Sequence, residues 1–517
     1  MADSAALRHE LQQLSPAQLR ELLSASGHGQ LLRGEEEQIA TAAVDEQLLQ
    51  AAKDEGNALF RQGRLEDAVA AYSRYPDVVG DEPFMRRATA YIALQEFQRA
   101  VEDLVAALEF EPRNKDCRAK LENIVDAAVD APQDSGGARA NLRKAGVRAA
   151  LVLSIREGWT TSDVRGNPGP AAVNGHTLFQ GGNGRIYLFG GRAVREQKAG
   201  VFVRDESNIS SWDTVPTSGV GVPSSRAWHS TSSIGTKEEC YCVYGGVSSQ
   251  GEDPNIHLLV PASPRGFQWI VPRCVQDPKE SPVPRSGHAA VSVANDTFYR
   301  SIYIFGGRTK RGVSDQLLAL RCSPSSDTND ASDPNDVAVV WQEVNRNERD
   351  NGIGEWPSAR DGHSLCLLQA TNARASRLVL FGGNGQLNEE KMNDVWLFDL
   401  EKQSWTELTC SGDIPPPRSY HTAHTIGEFL FIVGGRTTES EDCNVYVLDV
   451  CTAEWSKVPI PSAHTLTPRA WHSSVLTEAG KLFVLGGGTY HGPLKDAATL
   501  DLSYFHTKAS SLSHTDV

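Results

Sequence analysis

No run in the 517 residues is apolar for anything near the ~20 residues of a membrane span. The first ten, MADSAALRHE, carry charge where a secretory signal needs an apolar core. A soluble protein without membrane insertion, cytoplasmic or nuclear, is expected. Positive charge is in deficit: 50 Lys and Arg face 65 Asp and Glu, a formal charge of −15. That balance opposes wholesale binding to nucleic acid or anionic membrane, both of which need concentrated cations. The nine cysteines are odd in number and include no Cys-x-x-Cys pair, so reduced thiols are expected rather than a disulfide framework. Cys240 and Cys242 share one strand face and read as small apolar fillers. Catalytic signatures are missing too, with no Gly-x-Ser-x-Gly elbow, phosphate-binding Gly loop or His-Glu-x-x-His helix. No enzyme activity, catalytic residue, metal site or cofactor is assigned.

What is present is repetition. Six segments share an apolar strand ending in a Gly pair: RIYLFGG to Gly191, CYCVYGG to Gly246, SIYIFGG to Gly307, RLVLFGG to Gly383, FLFIVGG to Gly435 and KLFVLGG to Gly487. An Arg stands three residues before a His upstream of five of them: Arg226 and His229, Arg285 and His288, Arg360 and His363, Arg418 and His421, Arg469 and His472. A further strand follows, clearest in DVWLFDL (394–400) and NVYVLDV (444–450), and then a Trp. Each unit reads as four short strands. Apolar β-branched and aromatic runs suit strands buried between stacked sheets, paired glycines suit close backbone approach, and one Trp per unit can fill the wedge between sheets.

These markers resemble the kelch repeat, whose units are the blades of a β-propeller. The resemblance covers 157–506 and implies a six-bladed, all-β propeller. Trp212, Trp269, Trp341, Trp405 and Trp455 end five blades, but none follows Gly487. Trp159 stands where the sixth is needed, so the strand around it is expected to complete blade six and leave no sheet edge unpaired. In the first unit Val173 takes the Arg position before His176, and blade three carries a polar insertion at 323–336, expected as a loop. Strand spacing puts His residues that recur once per blade ~20 Å apart across the ring, too far to share an ion.

The N-terminal third is helical. In 52–112 Gly56, Ala68 and Tyr72, then Tyr91, Ala100, Leu104, Ala107 and Pro112, fall at small, aromatic and helix-ending positions. They resemble tetratricopeptide (TPR) repeats. The expected organisation is a helical segment at 1–48 opening near Ser15, a TPR-like all-α domain at 49–128, a linker at 129–156 with a helix-like, solvated basic stretch (Arg139, Arg143, Lys144, Arg148), the propeller at 157–506 and a flexible tail at 507–517.

These resemblances imply a non-enzymatic scaffold or adaptor whose two domains hold separate protein partners. The alternatives are a substrate-recognition subunit of a ubiquitin ligase, for which no BTB or F-box segment is recognisable, and a propeller enzyme. By alignment with TPR co-chaperones, Lys53, Asn57 and Lys120 keep part of a clamp for a chaperone's C-terminal carboxylate, although Arg86 and Asp116 depart from it. On the propeller, the loops after the Gly pairs carry Arg192, Arg195, Arg308, Lys310, Arg311 and Arg436. This rim is expected to take an acidic or phosphorylated segment, with bracing of each Arg's own loop as the rival role.

Overall fold

The computed structural model describes residues 50–513 except for 75–79, 132–135, 156, 164–172, 193–199, 206–210, 220, 236–238, 263–265, 275–282, 295–299, 325–336, 345–354, 371–373 and 387–389. The expected 1–48 segment lies outside the described residues. The chain divides into two compact units, Met1–Lys120 and Leu121–Val517.

In the first unit, helix α1 (50–61) is followed by α2 (Leu65–Tyr72), α3 (Glu82–Ala93), α4 (Phe97–Phe110) and the start of α5 (Lys115–Asp130). Small residues set the helix spacing. A Cβ on Gly56 would lie 2.3 Å from the Tyr72 ring. Ala68, Ala71, Ala88, Ala90, Ala100 and Ala107 are fully buried where the helices meet. Arg87 and Asp103 join α3 to α4 through a paired hydrogen bond of 2.7 and 2.8 Å. Asn114 opens α5 by accepting the Cys117 N–H at 3.0 Å.

The second unit is a six-bladed β-propeller. The innermost strands are Thr177–Gln180, Arg226–Ser233, Ala289–Val293, Ser364–Leu368, Thr422–Ile426 and Ser473–Leu476. Each touches the next around the ring, and the last returns to the first. Every blade continues outward through its Gly-pair strand and two more antiparallel strands. In blade six the outermost strand is Thr160–Asp163, which pairs with Asp496–Asp501 from Thr160 opposite Thr499 to Asp163 opposite Asp496. Chain ends thus close the ring.

The tryptophans work between blades. Trp269, Trp341, Trp405 and Trp455 lie 5.1 to 5.5 Å, centroid to centroid, from Phe189, Tyr244, Phe305 and Phe381 of the preceding blade. Trp212 faces Phe483 of blade six at 6.5 Å. Removing a buried aromatic of this kind typically costs ~3–5 kcal/mol.

Three expectations need correction. The insertion does not begin at 323, because Ser323 and Pro324 still pair with Ala338 and Val337. The tail from 507 is not loose as far as Ser513, because α7 (Ser503–Ser513) buries Phe505, Ala509 and Leu512. Phe505 packs edge-on against Phe429 and Phe431 of blade five at 5.1 and 5.4 Å. The stretch 129–156 is no solvated linker either. Helix α6 (Gly136–Ser154) belongs to the propeller unit: Gly146 lies against Ala128 of α5, and Ser154 Oγ accepts the Phe505 N–H at 2.7 Å. Arg143 is buried, ion-paired with Asp449, donating 2.7 Å to the Leu512 carbonyl and lying over the Phe429 ring at 5.7 Å. Lys144 pairs with Glu454. Among the described residues no helix is long and apolar enough to cross a membrane.

Because Arg143 neutralises a mostly buried carboxylate, Arg143→Met should destabilise the chain by ~3–5 kcal/mol. Arg143→Met with Asp449→Asn should recover part of the loss. Urea unfolding of the three proteins checks this, and an unchanged midpoint in the single variant would refute the docking of α6.

Candidate functional site

The site grows from the Arg-x-x-His element. Arg226, Arg285, Arg360, Arg418 and Arg469 are at most 1 % exposed. Their guanidinium groups donate to the first-Gly carbonyls of their own blades (Gly245, Gly306, Gly382, Gly434 and Gly486) at 2.8 to 3.1 Å. Asp253, Asp394, Asp442 and Asp496 neutralise four of them, and Gln316 accepts from Arg285 at 3.0 Å. Burial alone would raise the Asp253 carboxyl, but bonds from Arg226, Asn255 and His257 hold it at about 2. These arginines brace the Gly turns and are not available to a ligand.

The second glycines link neighbouring blades. Gly191, Gly246, Gly307 and Gly435 donate at 2.8 to 2.9 Å to the carbonyls of Arg226, Arg285, Arg360 and Arg469, and Gly487 donates to Val173 at 2.8 Å. Val173 therefore keeps the backbone half of the Arg role.

The residue before each His lines the channel mouth. Gly175, Trp228, Gly287, Gly362, Tyr420 and Trp471 all have φ between 53° and 65°, the left-handed region. For Trp and Tyr this backbone is strained, by ~1–3 kcal/mol each. A closed circle of hydrogen bonds holds it: Trp228 N–H to Gly175 carbonyl, then Gly287 to Trp228, Gly362 to Gly287, Tyr420 to Gly362, Trp471 to Tyr420 and Gly175 to Trp471, all 2.6 to 3.0 Å. These six residues and the six following histidines border one cavity of about 200 Å³.

Burial holds the histidines neutral. It pushes His176, His288 and His421 down to about 3, and His229, His363 and His472 well below the ordinary imidazole value. Four of them meet a hydroxyl of the preceding blade: His229 Nε2 meets Thr177, His288 meets Ser230, His421 meets Ser364 and His472 meets Thr422, at 2.8 to 3.0 Å. His363 has no such partner because Ala289 stands at the equivalent place. Among the described residues no three His, Cys, Asp or Glu side chains are placed to hold a metal ion.

Of the rim cations, Arg308 donates to Asp361 at 2.9 Å, and Arg436 pairs with Glu441 at 2.8 Å while lying 5.8 Å from the Trp471 ring centre. Lys310 and Arg311 are exposed at the tip of the hairpin formed by Arg308–Thr309 and Gly312–Val313. Arg192 is exposed and pairs through its backbone with Asn174; Arg195 lies outside the described residues. In the helical unit Lys53 is ion-paired with Glu82, Asn57 Oδ1 accepts from Arg86 and Tyr72, and Lys120 is half-buried. Sequence reasoning missed Trp228, Tyr420 and Trp471, whose signal was an aromatic directly before the repeated His. It also missed Lys391, whose Nζ bonds Asn384 Oδ1 at 2.9 Å and Ser419 Oγ at 3.4 Å.

A six-fold ring of Gly-pair strands braced by buried arginines defines the kelch class of propeller. The chain belongs to the kelch-repeat family: the family described as "KLHDC2/KLHL20/DRC7 Kelch-repeats domain" matches residues 136–323 and 324–511. Similar proteins include acyl-CoA-binding domain-containing protein 4 of Arabidopsis thaliana, 26 % identical over 65 % of this chain and 45 % of that protein. Kelch domain-containing protein 2 of Bos taurus is 28 % identical over 46 % of this chain and 59 % of its own length. Host cell factor 2 of Homo sapiens is 26 % identical over 52 % and 34 %. The chain spans less than two thirds of the length of these relatives.

Two outcomes follow from the histidines. With folded-state values below the free imidazole's ~6.5, the unfolded chain binds more protons, so stability falls as pH drops below ~6.5 toward 3. The slope is at most ~1.4 kcal/mol per pH unit for each His. Urea midpoints that stay flat from pH 7.5 to 5 would contradict neutral burial. Ala289→Ser should supply the hydroxyl missing from His363 and stabilise by ~0.5–1.5 kcal/mol. No gain in unfolding free energy would mean that His363 is satisfied without it.

Proposed function

We propose that this chain is a non-enzymatic adaptor, in which the loop face of the propeller holds an acidic or phosphorylated segment of one protein and the helical unit holds a second partner. The observation that carries the first half is the channel mouth, where three half-buried aromatics stand in strained left-handed backbone around a cavity of about 200 Å³. Strain of this kind collects at functional sites, and such a cavity suits a side chain or chain segment better than a bulky cofactor. Cations surround it while the chain as a whole is acidic. Arg308 and Arg436 engage carboxylates of their own, which favours bracing for those two. Lys310 and Arg311, at an exposed hairpin tip, favour recognition. Kelch relatives with names such as host cell factor fit a protein-interaction role.

The helical unit reads as TPR-like. Its support is the packing of Gly56 on Tyr72 and the buried alanines at the helix contacts. A partner's terminal carboxylate would meet Lys53, Asn57 and Lys120 only by displacing Glu82 from Lys53 and Arg86.

Lys310→Glu with Arg311→Glu separates recognition from bracing. The double variant of the full chain should melt within about a degree of the unaltered protein, since among the described residues it breaks no ion pair and surface changes of this kind stay within ~0.5 kcal/mol. It should also lose at least one protein captured by the unaltered chain from cell extract. Retention of every captured protein would overturn the recognition role of this rim.

A further inference from the structure

We infer that Lys391 anchors an anion subsite beside the channel mouth, between blades four and five; this rests on reading the loop face as the recognition surface. Lys391 begins the third strand of blade four, directly opposite Asn384. Around it, two of the neighbouring carboxylates are already engaged. Asp361, 3 % exposed, accepts from Arg308 at 2.9 Å, Asn384 Nδ2 at 3.1 Å and Tyr420 at 3.4 Å. Glu441 holds Arg436. Glu390 turns its carboxylate over Gly385.

Arg308 and Arg436 thus each hold a carboxylate, whereas the bonds of Lys391 among the described residues run to neutral partners, Asn384 Oδ1 and Ser419 Oγ. It is half-buried, so it has surrendered part of its hydration, and among the described residues no ion pair replaces it. Burial, followed by the nearby Arg436, lowers its pKa, while Asp361 acts in the opposite direction. An incoming carboxylate or phosphate oxygen would supply a counter-charge, while the buried Asn384 Oδ1 and Ser419 Oγ hold the ammonium in place. Arg436, 39 % exposed, flanks the place and gives it a second cation. The ligand chemistry is an oxyanion carried on a protein segment, from an acidic side chain or a phosphorylated one.

The test uses the full chain with three probes at constant ionic strength: inorganic phosphate, an acetyl-Gly-Glu-Gly-amide peptide and its phosphoserine counterpart. Calorimetry should detect at least one of them, and the ratio of the two peptides identifies the source of the oxyanion. Lys391→Met should weaken that binding at least about tenfold and Lys391→Arg by no more than about threefold. Equal binding by Lys391→Met, or no binding by the unaltered chain at 10 mM (about 10 mM being a generous ceiling for a single charged contact), would overturn the subsite. If Lys391→Met fails to fold, crystals of the unaltered chain soaked in tungstate decide: density at Lys391 Nζ supports the subsite and its absence overturns it. Loss of the subsite together with partner loss in the Lys310 and Arg311 variant would leave the recognition reading intact.

Discussion

The structure depends on one closed circle of backbone hydrogen bonds, from Gly175 through Trp228, Gly287, Gly362, Tyr420 and Trp471 back to Gly175. Each residue both donates to one neighbour and accepts from the other, which requires all six to adopt left-handed backbone. Glycine does so freely, whereas Trp and Tyr do so at a cost that only a cooperative ring can outweigh. Once the circle forms, the direction of every following inner strand is fixed. Second-glycine bonds then tie neighbouring blades together a few residues away, at Gly191, Gly246, Gly307, Gly435 and Gly487. Closure at the periphery, where Thr160–Asp163 joins blade six, therefore acts on a ring already locked at its centre.

This architecture decides which charges remain for recognition. Five guanidinium groups are consumed inside the blades, where the desolvation cost demands both a carboxylate or amide partner and a carbonyl acceptor. The six histidines are consumed as neutral packing groups against aromatic rings such as Phe189, Phe305 and Phe381. What is left lies in the hairpins beyond the Gly pairs, whose side chains differ from blade to blade: Lys310 and Arg311 in blade three, the 85 % exposed Tyr490 in blade six. The Gly pairs and histidines that serve the ring recur in all six blades, and positions outside it are free to specialise.

That division explains what could be read in the sequence. Gly pairs, Arg-x-x-His elements and wedge tryptophans recur because each blade solves the same packing problem, so periodicity exposes them. Arg143 could not be read, since its partners Asp449 and Leu512 lie 306 and 369 residues away and nothing local marks a buried guanidinium. Helix α7 was hidden for the same reason, its apolar Phe505 and Leu512 being too few to announce a docked helix without the surface they cover. Lys391 was invisible because its setting comes from residues distant in sequence: the pairs Arg308–Asp361 and Arg436–Glu441 form around it, while among the described residues its own bonds run to Asn384 and Ser419. Val173 is instructive in the other direction, for its departure from Arg leaves the ring intact because the backbone carbonyl, and not the side chain, carries the bond between blades.

The mixture of glycine and aromatic residues at the mouth follows a steric rule. A Cβ on Gly175 would lie 2.9 Å from Trp228 Nε1, and one on Gly362 would lie 3.0 Å from the Tyr420 ring. Each of these aromatics thus covers the preceding blade's position, which must then be glycine. Trp471 instead follows Tyr420, and the two rings sit side by side, 5.6 Å apart at 36°. Gly287 is the exception among the glycines: the nearest atom to a Cβ there is 3.5 Å away, in Asp361, so no ring covers it closely. The backbone of the mouth is therefore most open at blade three, beside the Arg308–Asp361 pair and the basic hairpin.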